Sequence, residues 1–376
     1  MTKNELAEKG RRQFIIFGIT ILFAAFLIQL NQVEREGLYE TEGKTFEKAK
    51  VVEIKKDNTT ESGNQIGKQL VSLRLLSGKF RGTVVEAVSS SGYLYGTQCE
   101  KGMKVIAEVN EGEDSLYVTV YSYDRTAILC MIVLLFLLTL SLIGGRKGVY
   151  SAVALIFTFV CIVFLFLPLI YRGVSPVWAA VLVAILTTVV TMYLLGGISS
   201  KSVTAVVGTV LGVGISGILA ILFGKWTHIS GYNVADIEQL TYVGQTTNIK
   251  IGELLYAGIL ISALGAVMDV AMSIASTINE IHFRNPLLSA RELFFSGIRV
   301  GKDMMGTMSN TLILAFTGTS INTLVFLYVY NYSTTQIINM YSIGIELIQG
   351  IASTMGVILT IPLVSLLSAW HLKRKE

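Results

Sequence analysis

The sequence predicts a mostly α membrane protein: a polytopic helical bundle of about eight transmembrane helices, with a small extracytoplasmic β-barrel-like domain of OB or SH3 type inserted after the first helix. Hydrophobic residues make up 52% of the 376 and charged residues only 15%, and the apolar residues are gathered into long blocks. Seven blocks approach or exceed the roughly 20 helical residues that cross about 30 Å of hydrocarbon: 127–144, 149–170, 176–195, 203–223, 253–276, 305–330 and 345–369. One long stretch, 31–126, has no such block and alternates with period two instead.

An eighth and shorter apolar run, 14–30, follows "KGRR". No small-x-small cleavage site closes it, so it reads as an uncleaved anchor and not as a signal peptide. Eight crossings put both termini on one side. The termini and short loops of that side carry 14 Lys and Arg, against Arg172, Lys225 and Lys250 in the short loops opposite. By the positive-inside rule both termini are cytoplasmic, and the expected location is the cell membrane. The net charge of +4 is accounted for by these flanks, so nothing in it points to nucleic acid. The division expected is 1–30 for the N-terminus and first helix, 31–126 for the outer domain, and 127–376 for a seven-helix membrane domain.

Within 31–126, strands are expected at 49–54, 69–76, 82–88, 104–109 and 116–123, with "SGKFRG" as the turn between the second and third. Five short strands in that length suggest a closed barrel. Its alternating core is expected to hold Val51, Leu73, Val84, Ile106 and Val118 or their neighbours. Of the three cysteines, Cys130 and Cys161 fall in helices and Cys99 stands alone in this domain, so the domain holds no internal disulfide. A structural cap, a partner-docking module or a small-ligand site all fit such a barrel, and no aromatic row favours nucleic acid.

Further along, Gly208, Gly212, Ser216, Ala220 and Gly224 recur every fourth residue, the spacing of a close helix-packing seam. The external loop 224–252 is long and polar, and "VADIEQLTYVG" within it has the pattern of a surface helix. On the cytoplasmic side, "SARE" at 289–292 has the form of a capping box before "LFFSGIRV". An interfacial amphipathic helix is expected there, with Leu293, Phe294 and Phe295 toward lipid.

The last three long helices carry polar residues at helical spacing. Ser262, Ala266, Asp269, Ser273 and Ser276 form one face; Asp303, Thr307, Asn310 and Thr317 a second; Glu346, Gln349, Ser353, Gly356 and Thr360 a third. Leu264, Val267 and Ile274 lie opposite Asp269, so the carboxylate is expected to face protein or water, away from lipid. Counting from the helix ends at 1.5 Å per residue puts Asp269 and Asn310 in the cytoplasmic third, Asp303 at the cytoplasmic edge and Glu346 near the outer edge. Converging, the three faces would line a path. An ionised side chain at a helix centre costs about 2.5–3.5 kcal/mol on insertion scales, so Asp269 needs a partner or a task. Asp303 serves equally well as an N-cap for a helix starting at 304, and Glu346 is close enough to the edge to be solvated.

"ALGAVMDVAMSIASTINEI" (263–281) and "GKDMMGTMSNTLILAFTG" (301–318), with "GGISSKS" (196–202) upstream, resemble the YibE/F family of bacterial multi-pass membrane proteins. The resemblance covers roughly 127–370, together with the outer domain that YibE-type members carry after their first helix. It implies a polytopic fold and a possible YibF-like membrane partner, and it brings no catalytic residue.

Three function classes follow. A transporter or permease component would move an ion or small solute along Ser262, Asp269, Ser273, Asp303, Thr307, Asn310, Glu346 and Gln349; no ATP motif is present, so coupling would be to an ion or absent. A membrane scaffold or sensor would act through the outer domain. An intramembrane enzyme would need Asp269 and Asp303 as a carboxylate pair, but "VMDVA" and "GKDMM" lack the aspartyl-protease contexts and no H-E-x-x-H occurs. The expectation is therefore no enzyme, cofactor or metal. The expected partners are the lipid bilayer and either a YibF-like protein or further copies of the chain.

Overall fold

The computed structural model describes residues 18, 21–32, 43–58, 67–90, 97–112 and 116–374. The chain divides into two compact units, 35–139 and the remainder. The basic N-terminus and most of 14–20 lie outside the described residues.

In the first unit five strands, β1 (Lys44–Lys56), β2 (Lys68–Leu75), β3 (Val84–Ser90), β4 (Lys104–Glu111) and β5 (Leu116–Tyr123), close into a barrel in the order β1-β2-β3-β5-β4. Every pair is antiparallel except β3 with β5, which meet in parallel at Val88–Thr119 and Ser89–Val120. Ala49, Val51, Val71, Leu73, Leu75, Ala87, Val105, Ala107, Val109, Val118 and Val120 fill the interior. Two core positions differ from expectation. Val84 is 53% exposed and Ile106 points away from the buried side, while Ala87, Val105 and Ala107 point in. In a strand a one-residue slip moves a side chain to the other face, and "GTVVEAV" and "KVIAEV" hold apolar residues in both phases.

One buried amide fastens this barrel. Gln69, 1% exposed, accepts from the Cys99 amide at 2.8 Å and donates to the Cys99 carbonyl at 3.2 Å. This pairing holds the segment before β4 against β2 much as a ladder hydrogen bond would. Burial pushes the Cys99 thiol up from its ordinary value.

The second unit is helical. Its described elements are α1 (Ile21–Asn31), α2 (Thr126–Cys161), which begins in the barrel unit, a π-helical turn (Ile162–Phe166), α3 (Leu167–Tyr171), α4 (Pro176–Gly196), α5 (Ser200–Thr227), α6 (Ile237–Thr246), α7 (Leu254–Arg284), α8 (Ala290–Thr319), α9 (Ile321–Val329), α10 (Thr334–Ile338) and α11 (Tyr341–Lys373). Among the described residues five segments are long and apolar enough to cross a membrane, and the α8–α9 pair, bent by 63°, makes a sixth. The longest, Thr126–Tyr171, spans 46 residues and joins the blocks 127–144 and 149–170 into one element broken at Gly145 (φ 53°, ψ −133°).

The π-helical turn has a local cause. Pro168 has no N–H to offer the carbonyl of Phe164 four residues before it. Asn31 of α1 supplies the missing donor at 2.8 Å, while the Leu167 amide reaches back to Ile162. Arg172 adds a bond of 3.0 Å to the Leu30 carbonyl, so both ends of this polar strap satisfy backbone groups that lipid would leave unpaired.

The core of the bundle is the antiparallel pair α5 and α11. Gly208 lies against Val364, Gly212 against Thr360, and Gly356 against Ser216, each so close that a Cβ on the glycine would overlap its neighbour. Ser368 donates to Thr204 at 3.1 Å at one end of the seam. Helix α7 covers the pair through Val267 on Gly212 and Leu260 on Gly217, and α8 through Gly297 on Ser365 and Gly301 on Ile361. The four-residue spacing in α5 is thus a packing seam. The loop helix α6 lies at the surface with no buried residue.

The capping box forms as the sequence indicates: the Ser289 hydroxyl accepts from the Glu292 amide at 3.3 Å, and the Glu292 carboxylate accepts from the Ser289 amide at 2.8 Å. The helix it starts differs from expectation. It runs unbroken to Thr319, with Leu293 fully buried and Phe294 packed on the core, so only Phe295 of the three is exposed. The reason is Gly297 and Gly301, whose bare backbone lets this turn dock on α11.

Two outcomes are expected. Leu73→Ala, at 0% exposure, should cost the barrel about 2–5 kcal/mol in a denaturant melt of the isolated domain. Cys99 should resist a thiol reagent at neutral pH until that melt begins, because its thiolate is scarce and enclosed; rapid labelling of the folded domain would contradict the assigned core.

Candidate functional site

Helix α7 forms because its apolar residues recur with helical period along 31 residues, and its burial follows from what α5 offers. Val267 and Leu260 fill the spaces above Gly212 and Gly217, and Val270, Ile274 and Ile278 continue the buried side. Leu264, Val267 and Ile274, opposite Asp269 as the spacing indicates, are packed inward, and Asp269 is exposed on the far side, so of the two surroundings expected for it the neighbouring helices do not supply the protein one. Bulky apolar side chains gain more dispersion contact from a glycine-lined partner than small polar ones do. The small face therefore turns out of the chain.

Ser262, Ser273 and Ser276 are half-buried along that same outward face, and Gly265 beside them has no neighbour within 4 Å of a Cβ position. Ser262 accepts from the Gln349 amide of α11 at 3.5 Å, the long limit of a hydrogen bond. This hydrogen bond ties the polar face of α7 to α11. Gln349 and Glu346 are half-buried, whereas Ser353, Gly356 and Thr360 below them are fully enclosed against α5. The stripe on α11 thus faces the core.

On α8 the inward side is Met304, Met308 and Leu312, packed on the core. Asp303, Thr307 and Asn310 are exposed on the other side. Asp303 is the fourteenth residue of its helix and not an N-cap, because the helix begins at Ser289. The contacts fix its depth. Gly212 touches both Val267 and Thr360, and Gly301 touches Ile361. Asp269 and Asp303 each lie two residues, about 3 Å of rise, from one of these points. They therefore share a level well inside the bundle, which moves Asp303 inward from the cytoplasmic edge. Asn310 lies between the Gly301–Ile361 contact and the Phe316–Gly350 contact, opposite the middle of α11.

The geometry therefore separates the three stripes. One faces inward and two face outward, at a common depth. Among the described residues no three His, Cys, Asp or Glu side chains gather as metal ligands would. Exposed aromatic side chains ring the far end of the bundle: Trp226, Tyr232, Tyr242, Tyr328 and Tyr341 stand near the C-terminus of α5, the end of α9 and the start of α11. Sequence reasoning passed over these, although Trp and Tyr at span ends are the usual mark of the lipid interface. The opposite end carries Lys201, Arg284, Arg291, Lys373 and Arg374, with the Lys373 amine donating to the Pro286 carbonyl at 2.7 Å.

Residues 132–374 match the family model for YibE/F-like proteins. The chain belongs to the YibE/F-like family. The match spans α2 to α11 and so takes in every candidate residue. No curated protein and no solved structure matches the chain.

The outward direction of the α7 face is directly testable. In a chain with its three native cysteines replaced, Asp269→Cys should react readily with a maleimide in detergent and Val267→Cys should stay protected until denaturation. Equal protection of both would place Asp269 inside the chain.

Proposed function

We propose that this YibE/F-like protein is a multi-pass permease component that moves an ion or small solute across the bilayer along the outward polar face of α7. The observation that carries the reading is Asp269: a carboxylate deep in an apolar span, on a face left exposed among the described residues. Facing hydrocarbon it would cost about 2.5–3.5 kcal/mol, whereas beside water or a bound cation it is solvated. Ser262 and Ser273 extend the face by roughly two turns outward and one turn inward, supplying hydroxyl oxygens for a cation or a polar solute. Gln349 and Glu346 stand at its outer end, where the Gln349 side-chain amide donates to the Ser262 hydroxyl. Asp303, Thr307 and Asn310 lie at a neighbouring depth on α8.

The membrane arrangement that goes with this reading has eight crossings with both termini cytoplasmic. Supporting it, Thr126–Tyr171 at 46 residues is about 69 Å of helix, more than twice the hydrocarbon thickness, and its break at Gly145 lies beside the basic pair Arg146–Lys147. The basic end of the bundle supports the same orientation, with the barrel outside the cell membrane. The strand order β1-β2-β3-β5-β4 supports an OB-type barrel over an SH3-type one. A scaffold or sensor role would rest on that barrel, where the exposed Phe46 and Tyr121 pair edge to face at 5.1 Å. We assign no catalytic residue, cofactor or nucleic-acid partner.

Reconstitution into liposomes tests the proposal, with a panel of monovalent cations, protons and small organic acids as probes. Asp269→Asn should insert and fold normally yet lose flux by at least about tenfold, and Ser262→Ala should retain most of it; tenfold corresponds to about 1.4 kcal/mol. Full flux in Asp269→Asn at equal protein levels would reject the assignment.

A further inference from the structure

Helix α8 shows the environment two unlike sides. Its inner side is anchored by Gly297 and Gly301 on α11 and by three apolar side chains on the core. Its outer side presents Asp303, Gly306, Asn310, Ile313 and Thr317, all exposed, and a Cβ at Gly306 would have nothing within 4 Å. These five follow a spacing of three and four in alternation. That is the seam of a two-stranded coiled coil, with Asp303, Asn310 and Thr317 at one core position and Gly306 and Ile313 at the other.

We propose that this side of α8 is the seam of a parallel two-fold dimer with a second copy of the chain. The residues are complementary to themselves. A two-fold axis along the bundle brings Asn310 opposite its own counterpart, and a primary amide has both a donor and an acceptor, so the pair satisfies itself. Lys302 is exposed next to Asp303, so the same axis sets each ammonium beside the partner's carboxylate and offsets the repulsion of two facing acids. Gly306 lets the backbones approach between these two layers. Lipid offers none of this: opposite the middle of α11 an unpaired amide has no water to bond. A single polar Asn at such a core position also fixes register and favours two strands. The seam is independent of the permease reading, because it concerns the contact between copies and not the passage of a solute.

Disulfide trapping of the full chain in its native membrane tests the seam. In a chain without native cysteines, Gly306→Cys, Asn310→Cys and Ile313→Cys should oxidise to a species of twice the 41.0 kDa chain mass. Met304→Cys, Met308→Cys and Leu312→Cys, on the packed side, should give several-fold less of it. In mild detergent, Asn310→Leu should lower the dimer fraction several-fold and Asn310→Gln should preserve it. Comparable trapping on both sides, no species of doubled mass, or a trapped product containing a different polypeptide would overturn the proposal. Trapping at Gly306→Cys and Ile313→Cys leaves Asn310 intact, so a folding defect in one variant does not blunt the test.

Discussion

The bundle depends on how closely α5 and α11 approach each other. At Gly212 and Gly356 the backbone of one helix lies against the Thr360 and Ser216 side chains of the other, with no space for even a methyl group. Lipid tails are as apolar as leucine, so helices in a membrane gain little by burying apolar surface and must hold together by contact. Small residues supply that contact here, and the two hydroxyls at these crossing points donate within their own helices: Thr360 to the Gly356 carbonyl at 2.7 Å and Ser216 to the Gly212 carbonyl at 3.2 Å. Both α7 and α8 are then laid on this pair through further glycines, which decides the rotation of each about its own axis.

That rotation has a chemical consequence. Once Val267 and Leu260 are seated on α5, every residue on the opposite side of α7 is turned out, Asp269 included. Seating Gly301 on Ile361 turns Asp303 and Asn310 out in the same way. The polar residues of α7 and α8 are therefore not a lined tube within one chain. They form two open faces at one depth, each of which needs a neighbour that is not hydrocarbon. Water or, on the proposed reading, a cation suits the carboxylate on α7. A symmetry-related copy of the same face suits the paired charge and amide on α8. Fold and function connect through this step, since the packing of the glycines selects the residues left for chemistry.

Much of the architecture was legible in the sequence. Strand alternation placed four of the five strands to within two residues at each end, because a barrel wall has one buried face and a polar outer one, while β1 starts five residues before the expected 49. The capping box at Ser289 and Glu292 and the fourth-residue spacing in α5 also held, since both are local patterns with local causes. The sequence left open whether the polar face of α7 meets protein or water, and the packing turns it away from the neighbouring helices. Periodicity separates a polar face from an apolar one, but the covered face depends on which neighbour carries the glycines, and that is a tertiary fact. The continuation of that capped helix into the span as one docked element was missed for a related reason. Residues 290–304 include Arg291, Arg299 and Lys302 and form no apolar block, yet their one inward side, with Leu293, Gly297 and Gly301, suffices to dock the helix. The exchange of donors at Pro168, where Asn31 serves the Phe164 carbonyl, joins residues 133 positions apart and leaves no local trace.

The central claim is that the polar face of α7 meets water inside the membrane. Spin labels placed singly at Asp269 and Ser273, and for reference at the exposed apolar Leu211 of α5, which lies beside Gly212 at the depth of Asp269, measure this in liposomes by collision with a water-soluble nickel complex and with oxygen. The account predicts greater access to nickel than to oxygen at both α7 positions and the reverse at Leu211. Oxygen-dominated access at Asp269, matching that at Leu211, would show the face in contact with lipid and contradict it.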